Sequence, residues 1–568
     1  MSLVDERYEK WVSHPNLDPR YKDDLANMNA EEKNDAFYTL IEFGTAGMRG
    51  ILGPGTNRIN IHTIRKATQG YANYIVSNGE QACQKGIAIG YDNRHMSQEL
   101  AFDCANLLAK NNIKSYVFES LRPTPELSFA VRHLGCFGGI MITASHNPKE
   151  YNGYKLYDDK GCQLIPCLAQ QVIDRVNAIE DELAIDANCS EEQKSLITVI
   201  GKEVDEEYYK NVLSIQLNPD VKKDIKIVFS PEHGTANIPV QEVYKRAGYT
   251  CIPVVEQCSP DPDFSNTPTP NPEQAGAYEL ALKYAKENDA DVILVCDPDA
   301  DRMGVGVKHN GEYVVMTGNQ SGAVLIEYIL SQLQAQGKMP ENPVMFNTVV
   351  TSDLGEKTAA NYGVETEKTL TGFKFIGEKV AKYEVTHEKN YVFGYEESYG
   401  SLISPFVRDK DAPQACLMLA EAAAYYKAQG KDLCDVLDGL YERNGTYEES
   451  QVAISLSGEA GAKRIKQILQ DLRNDAPKEI GGTPVVKSED YKECVIKEGD
   501  TVRELTGFTK SDVLKYYLSD GSWIAARPSG TEPKIKFYYC IKGDSKEQAH
   551  EKTLNYQKAI AQLTGTDK

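Results

Sequence analysis

The sequence predicts an α/β protein of three α/β domains followed by a C-terminal domain of α+β character. Three observations predict it: short Val/Ile-rich runs that each end in a polar or Gly-bearing segment, helical stretches among them, and a change of pattern after about Val436. At about 150 residues per domain, 568 residues accommodate three to four domains and more than one apolar core.

Residues 86–90 (GIAIG), 140–143, 225–229 (IKIVF), 292–295 (VILV) and 344–350 are the strand-like runs. The helical stretches 279–287 and 420–428 lie between or after them, as parallel βα units require. In such sheets ligands bind beyond the carboxyl ends of the strands, so chemistry is expected in the polar segments that follow the runs. Residues 258–273 (CSPDPDFSNTPTPNPE) carry five prolines and read as a long irregular surface connection, not a domain boundary. Beyond Val436 the strand-like 452–456 and the alternating 535–541 flank helical segments, which points to antiparallel pairing. There is no short-period repeat and no low-complexity tract.

Composition narrows the function. Lys and Arg total 62 against 83 Asp and Glu, a net charge of −21, so the overall field repels nucleic acid and anionic membranes and any phosphate site must be local. Hydrophobic residues at 41% and charged residues at 26% are those of a folded soluble protein, not a disordered one. The opening MSLVDERYEKW has no apolar h-region, and no apolar run approaches the roughly 20 residues that span a bilayer. Thirteen cysteines without a CxxC pair suit reduced thiols, and the expected compartment is the cytoplasm.

Two segments stand out for chemistry. In residues 141–155 (MITASHNPKEYNGYK) an apolar run ends at Thr143, and the Asn147-Pro148 pair forces a turn that exposes the Ser145 hydroxyl. A serine there is also an ordinary hydrogen-bonding turn residue; adjacent His146 and Lys155, ten residues on, favour a functional one. The segment lacks the GxSxG of a nucleophile elbow. In residues 292–302 (VILVCDPDADR), Asp297, Asp299 and Asp301 alternate directly after a buried-looking strand. Three like charges that close are costly unless a cation neutralises them, so a divalent metal is the simplest reading and a solvated acidic turn the plainer one. An EF-hand is rejected, because its sixth position would be Arg302 instead of Gly and its twelfth Lys308 instead of Glu.

Two further segments are weaker alone. Residues 394–400 (GYEESYG) place two carboxylates and a hydroxyl in a Gly-bounded loop that can accept hydrogen bonds from vicinal hydroxyls, or be a polar surface loop. Residues 527–534 (RPSGTEPK) combine hydroxyls, backbone N–H groups around a glycine and flanking cations, the components of a phosphate nest or of a simple turn. The Gly-rich residues 44–50 (GTAGMRG) match neither GxGxxG nor a Walker loop, so nucleotide binding has no support.

In this order the four segments resemble the α-D-phosphohexomutase superfamily, in particular its α-phosphoglucomutase branch. The resemblance runs from Gly44 to Lys534, and its TASHNP and DPDADR pieces are highly specific. It implies four domains around a central cleft, three similar mixed-sheet α/β domains and a C-terminal α+β domain, with limits expected at 1–205, 206–315, 316–435 and 436–568. It makes Ser145 the carrier of the transferable phosphoryl group, with Asp297, Asp299, Asp301 and a phosphoserine oxygen holding one Mg²⁺ per chain. Lys155 becomes the general acid/base with His146 as a neighbouring contributor, and Arg49 and Arg302 line the reacting phosphate. Glu396 and Ser398 become sugar contacts, Lys374 a further cleft contact, and Arg527, Ser529, Gly530 and Thr531 the site of the non-reacting phosphate.

The implied reaction converts glucose 1-phosphate to glucose 6-phosphate by way of glucose 1,6-bisphosphate, which also serves as activator. The chemistry is coherent, since phosphoryl transfer needs in-line positioning and neutralised equatorial oxygens. A lysine titrates ordinarily near about 10.4, so one acting as a base needs desolvation or nearby cations, and the metal and the two arginines are expected to be those cations. Tyr395 stands where the common glucose-type loop has Gly, a variant shared with relatives acting on pentose phosphates, and Glu397 leans away from the mannose-selective pattern. Phosphopentomutase and phosphomannomutase are therefore the substrate alternatives. Outside the mutases, a phosphatase with Asp297 as nucleophile and Asp299 as acid/base, or a sugar-phosphate-binding protein, are the alternatives. A small sugar phosphate is the expected partner, and the sequence sets no oligomeric state.

Overall fold

Six strands close the first sheet: β1 (Met48–Ile51), β2 (Ile87–Tyr91), β3 (Ser115–Phe118), β4 (Gly138–Ile142), β5 (Tyr151–Tyr157) and β6 (Ile197–Ile200), in the order β1-β5-β4-β2-β3-β6. The computed structural model describes residues 2–44, 47–456, 458–529 and 534–566. β4, β2, β3 and β6 run parallel, whereas β5 returns antiparallel to β4 and β1 antiparallel to β5. β2 and β4 are buried at every position, as strands covered on both faces must be, and the helices Ser97–Lys110 and Thr124–His133 pack on them. Gly153 lets β5 lie this close, because a Cβ there would stand 2.6 Å from the Thr143 carbonyl oxygen and 2.7 Å from that of Met48.

The second sheet repeats the plan. Its strands are β7 (Lys226–Ser230), β8 (Thr250–Pro253), β9 (Val292–Cys296), β10 (Met303–His309) and β11 (Glu312–Met316), in the order β11-β10-β9-β7-β8. β7 pairs parallel with β8 and β9, and β10 returns antiparallel beside β9. Further along, strand Asn390–Tyr395 turns through a polar loop into the antiparallel Ser401–Leu402, between the helices Phe373–Thr386 and Ala412–Lys427. Three times, then, a buried strand ends in a polar loop and comes back antiparallel, and the loops are those that carry Ser145, the three aspartates and Glu396. All three lie in one compact unit, Met1–Met316 with Phe373–Asp432.

The other compact unit is Thr317–Gly372 with Leu433–Lys568. In it Pro343–Thr348 pairs parallel with Glu365–Thr369, beside the helices Gly318–Ala335, Asp353–Ala360 and Leu433–Asn444. Its C-terminal part is an antiparallel sheet in the order Thr446–Ser455, Lys534–Gly543, Trp523–Pro528, Leu514–Leu518, Thr483–Asp490, Val495–Glu498, Thr501–Glu504. The helices Gly458–Asn474 and Lys546–Thr564 supply Ile468, Leu469, Tyr556 and Ile560 to a core shared with Phe537, Tyr539 and Ile541. This is the α+β domain that the change of pattern predicts. No helix among the described residues is long and apolar enough to cross a membrane.

The Pro-rich stretch 258–273 is only partly a surface connection. Phe264 is buried and lies under the Arg94 guanidinium, 5.2 Å from it, and Asn93 Nδ2 donates to the Asp261 carbonyl at 2.9 Å. The prolines rigidify a segment that bridges the first two sheets.

Candidate active site

Ser145 occupies the turn between β4 and β5 in the left-handed region, φ 53°, a conformation that costs a non-glycine residue about 1–2 kcal/mol. The Thr143 hydroxyl accepts its N–H at 2.8 Å, and the side chain is buried with Oγ donating to Asp297 Oδ2 at 3.0 Å. His146 Nδ1 is 3.2 Å from the same Oγ, and Arg49 donates to Asn147 Oδ1 of this turn at 3.0 Å. Serine and the acidic loop, 152 residues apart, therefore meet at one hydroxyl.

The acidic loop leaves β9 with all three carboxylates buried. Asp297 Oδ1 accepts the N–H groups of Asp301 at 3.1 Å and Arg302 at 3.0 Å, which fixes its direction. Asp299 Oδ2 accepts from Lys155 at 2.9 Å and from the Thr124 hydroxyl at 3.0 Å, and Asp301 pairs with Lys410 at 2.9 Å. Arg302 donates to Glu273 at 2.5 Å, its Nε lying 3.9 Å from Asp297 Oδ2 and 3.7 Å from Asp301 Oδ1. Burial, then the charges of Asp301 and Asp299, push the Asp297 carboxyl well above its ordinary range. Burial acts the same way on Asp299, but the Lys155 ammonium, its hydrogen bond and Lys410 outweigh it and hold that carboxyl low.

One carboxylate oxygen from each aspartate lies within 4.8 Å of the others. Asp299 Oδ1 and Asp301 Oδ1 are buried without a hydrogen-bond partner. Unsatisfied, mutually repelling oxygens in a buried loop suit a hard divalent cation, which takes oxygen ligands. The Lys155 ammonium lies 2.9 Å from Asp299 Oδ2 and 3.8 Å from Asp301 Oδ2.

The loop rests on the turn after β7. Thr235 donates to the Pro298 carbonyl through N–H at 2.8 Å and Oγ1 at 3.0 Å, and a Cβ on Gly234 would stand 2.4 Å from Pro298 Cα. Gly234→Ala must push the acidic loop outward; metal titration should show affinity lowered by about 10–100-fold, the usual cost of disturbing an outer support, in a folded protein. Glu232, in the same turn at φ 46°, is pushed up by burial to about 8. Between its ordinary value and about 8 the folded state binds a proton that the unfolded chain has released, so stability falls as pH rises across that window. Glu232→Gln should flatten this part of a Tm-against-pH curve and stabilise the protein at pH above 8.

The third loop docks on the second. The Tyr399 carbonyl accepts the Met303 N–H at 3.0 Å, the Ala300 carbonyl accepts that of Ala412 at 3.1 Å, and Lys410 reaches Asp301. Glu396 is buried at the start of this loop, its N–H donating to the Gly400 carbonyl at 2.9 Å, and its charge is felt at Arg302 and Lys410. Ser398 is half-buried in the same turn. Lys374, the second residue of Phe373–Thr386, is buried with its ammonium 5.4 Å from the Phe375 ring.

Ser145, His146, Arg49, Lys155, the three aspartates, Arg302 and Glu396 are thus brought together in one unit. Arg527 and Ser529 belong to the other: Arg527 lies opposite Lys536 in the antiparallel sheet, and Ser529 N–H donates to the Lys534 carbonyl at 2.7 Å. Gly530 and Thr531 lie outside the described residues. Sequence reasoning missed Lys410, Thr124, Glu273 and Arg94. Lys410 sits in the charge run RDKD, which reads as a solvated face, and Thr124 in a Pro-Thr-Pro helix start that reads as a cap.

The chain resembles known proteins over most of its length. The chain matches phosphoglucomutase/phosphomannomutase alpha/beta/alpha domain I over residues 40–183, domain II over 206–311, domain III over 317–444 and the C-terminal domain over 486–552. A phosphoglucomutase of Staphylococcus epidermidis is 37% identical over 528 residues, covering 92% of this chain and 94% of that protein. Among solved structures, Paramecium parafusin, a phosphoglucomutase in open form, superposes with a TM-score of 0.67 at 20% identity over 93% of this chain and 97% of its own. The N-acetylphosphoglucosamine mutase of Aspergillus fumigatus, solved with GlcNAc-6P and magnesium, gives 0.51 at 12% identity over the full length of both chains.

Proposed function

Because the chain belongs to the phosphoglucomutase/phosphomannomutase family of the α-D-phosphohexomutase superfamily, we propose that it interconverts α-D-glucose 1-phosphate and glucose 6-phosphate. The carrying observation is the 3.0 Å contact between Ser145 Oγ and Asp297 Oδ2, which puts a serine hydroxyl on the rim of a buried carboxylate trio. Asp297 itself is a poor nucleophile here, since Oδ1 accepts two backbone N–H groups and Oδ2 the serine hydroxyl. That argues against the phosphatase reading, and a chain built only to bind a sugar phosphate has no use for a serine in a strained, buried turn.

In this reading Ser145 Oγ carries the phosphoryl group. The Oγ–P bond breaks as a sugar hydroxyl oxygen forms its own bond to phosphorus, and the hydroxyl proton passes to a base of the chain. His146, with Nδ1 3.2 Å from Ser145 Oγ, and Lys155, 2.9 Å from Asp299, are the groups to hold that proton. The resulting glucose 1,6-bisphosphate turns over, and its other phosphate returns to Ser145. Asp297, Asp299 and Asp301 would hold Mg²⁺, which neutralises charge on phosphoryl oxygens when bound. Arg49 and Arg302 orient the reacting phosphate, while Glu396, Ser398 and Lys374 hold the sugar in either direction. Arg527, Ser529, Gly530 and Thr531 take the non-reacting phosphate, and added glucose 1,6-bisphosphate serves as activator. The domain limits 1–205, 206–315, 316–435 and 436–568, and a cytoplasmic location, complete the proposal.

Phosphorus NMR with Mg²⁺, a trace of glucose 1,6-bisphosphate, and glucose 1-phosphate beside ribose 1-phosphate tests it. The glucose signal should move to the 6-phosphate position without free phosphate. Faster conversion of ribose would give the pentose instead, and growth of inorganic phosphate would remove the mutase reading.

A further inference from the structure

The backbone carbonyls of the Ser145 loop are hydrogen-bonded from outside the loop. Arg94, in the turn after β2, is almost fully buried, and its guanidinium donates to four carbonyl oxygens of the serine loop. Nη2 reaches those of Ser145 at 2.6 Å and Asn147 at 2.5 Å, and Nη1 those of Pro148 at 2.8 Å and Tyr151 at 3.0 Å. Nε lies 3.2 Å from Asp92 Oδ2, while Asp92 Oδ1 accepts the Arg94 N–H at 3.0 Å and the Ser97 hydroxyl at 2.7 Å. Asn152, at the start of β5, donates to Ser97 Oγ at 2.9 Å, so the turn grips both ends of the loop. Phe264 closes the guanidinium from the far side.

We infer that Arg94 is a positioning residue for phosphoryl transfer, a planar clamp on loop backbone that holds Ser145 at positive φ with its hydroxyl aimed at Asp297. The inference rests on the mutase reading for its kinetic consequence but not for its structural one. A fork of donors is required: a lysine offers its donors from one point and cannot serve four carbonyls spread over residues 145–151. The guanidinium's carbonyl contacts all go to the serine loop, and its charge, felt at Asp299 and Asp297, is kept by a lysine, so losing the fork should misplace the serine without changing what binds.

Arg94→Lys should lower kcat by about 100-fold, the scale of an ångström of misplacement, with KM for glucose 1-phosphate and Mg²⁺ affinity within about twofold. Hydrogen exchange gives a readout independent of activity. The bonded amides of Ser145, Asn147 and Tyr151 should exchange at least tenfold faster, with β2 and β4 unchanged. Arg65→Lys, which loses a two-bond pair to Asp103 in the same domain, should leave these amides as they were. Unchanged loop exchange in Arg94→Lys would overturn the inference whatever happens to kcat, and so would faster exchange through the whole sheet. If Arg94→Lys does not fold, Ser97→Ala, which frees Asp92 on one side, should show the same pattern on a smaller scale, and normal loop exchange there would overturn it. If wild-type protein fails to isomerise sugar phosphates, the mutase reading falls, and the exchange data still decide the clamp.

Discussion

Ser145→Ala is expected to lose at least about 10⁴-fold in turnover while folding normally, because it removes the atom that carries the phosphoryl group. The methyl group fits where the hydroxyl was, and the loop is held by Arg94 through backbone, so the turn survives the change. Steady-state assay with glucose 1-phosphate, beside circular dichroism and a Mg²⁺ titration, separates the two effects. Turnover within tenfold of wild type would move the nucleophile elsewhere, with Asp297 the next residue to examine.

Asp297→Asn is expected to act in opposite directions on function and stability. Disturbing even an outer support of a metal site costs about 10–100-fold in affinity, so removing a ligand should cost at least 100-fold, and turnover should follow. Stability of the metal-free protein should rise by about 2–4 °C in Tm, because burial and the charges of Asp301 and Asp299 penalise the Asp297 carboxylate, a penalty the uncharged amide does not carry. The amide oxygen keeps the N–H groups of Asp301 and Arg302, and its nitrogen can donate to Ser145 Oγ, so no buried partner is stranded. Thermal scans in chelator and in Mg²⁺ make the comparison: the variant should melt above wild type in chelator and gain less from metal. A variant that melts below wild type in chelator would mean the trio is satisfied without a cation.

Both changes fall on residues the sequence made visible, and the reason is locality. Ser145-His146 and Asp297-Pro298-Asp299-Ala300-Asp301 are contiguous, each placed directly after a short apolar run, so strand, loop and chemistry read off together. The ends of strands Ile87–Tyr91, Val292–Cys296 and Lys534–Gly543 fall within two residues of those of the apolar runs that announce them. What the sequence hides comes from distance or from polarity. Thr124 meets Asp299 across 175 residues, and Arg94 reads as part of an Asp-Asn-Arg turn until its four carbonyls are seen. Strand Glu365–Thr369 (ETEKT) carries no apolar residue and escapes the pattern, although it pairs parallel with Pro343–Thr348. Helix Ala412–Lys427 begins eight residues before the helical stretch 420–428, although Asp411 and Pro413 mark its start as cap and first-turn proline.

The most direct measurement is the site of phosphorylation during turnover. Protein incubated with glucose 1,6-bisphosphate and Mg²⁺, digested and mapped by mass spectrometry, should carry phosphate on Ser145, in an acid-stable ester that glucose 1-phosphate removes while regenerating the bisphosphate. Phosphate found instead on Asp297, as an acyl phosphate cleaved by hydroxylamine, or no transferable phosphate at all, would contradict the account.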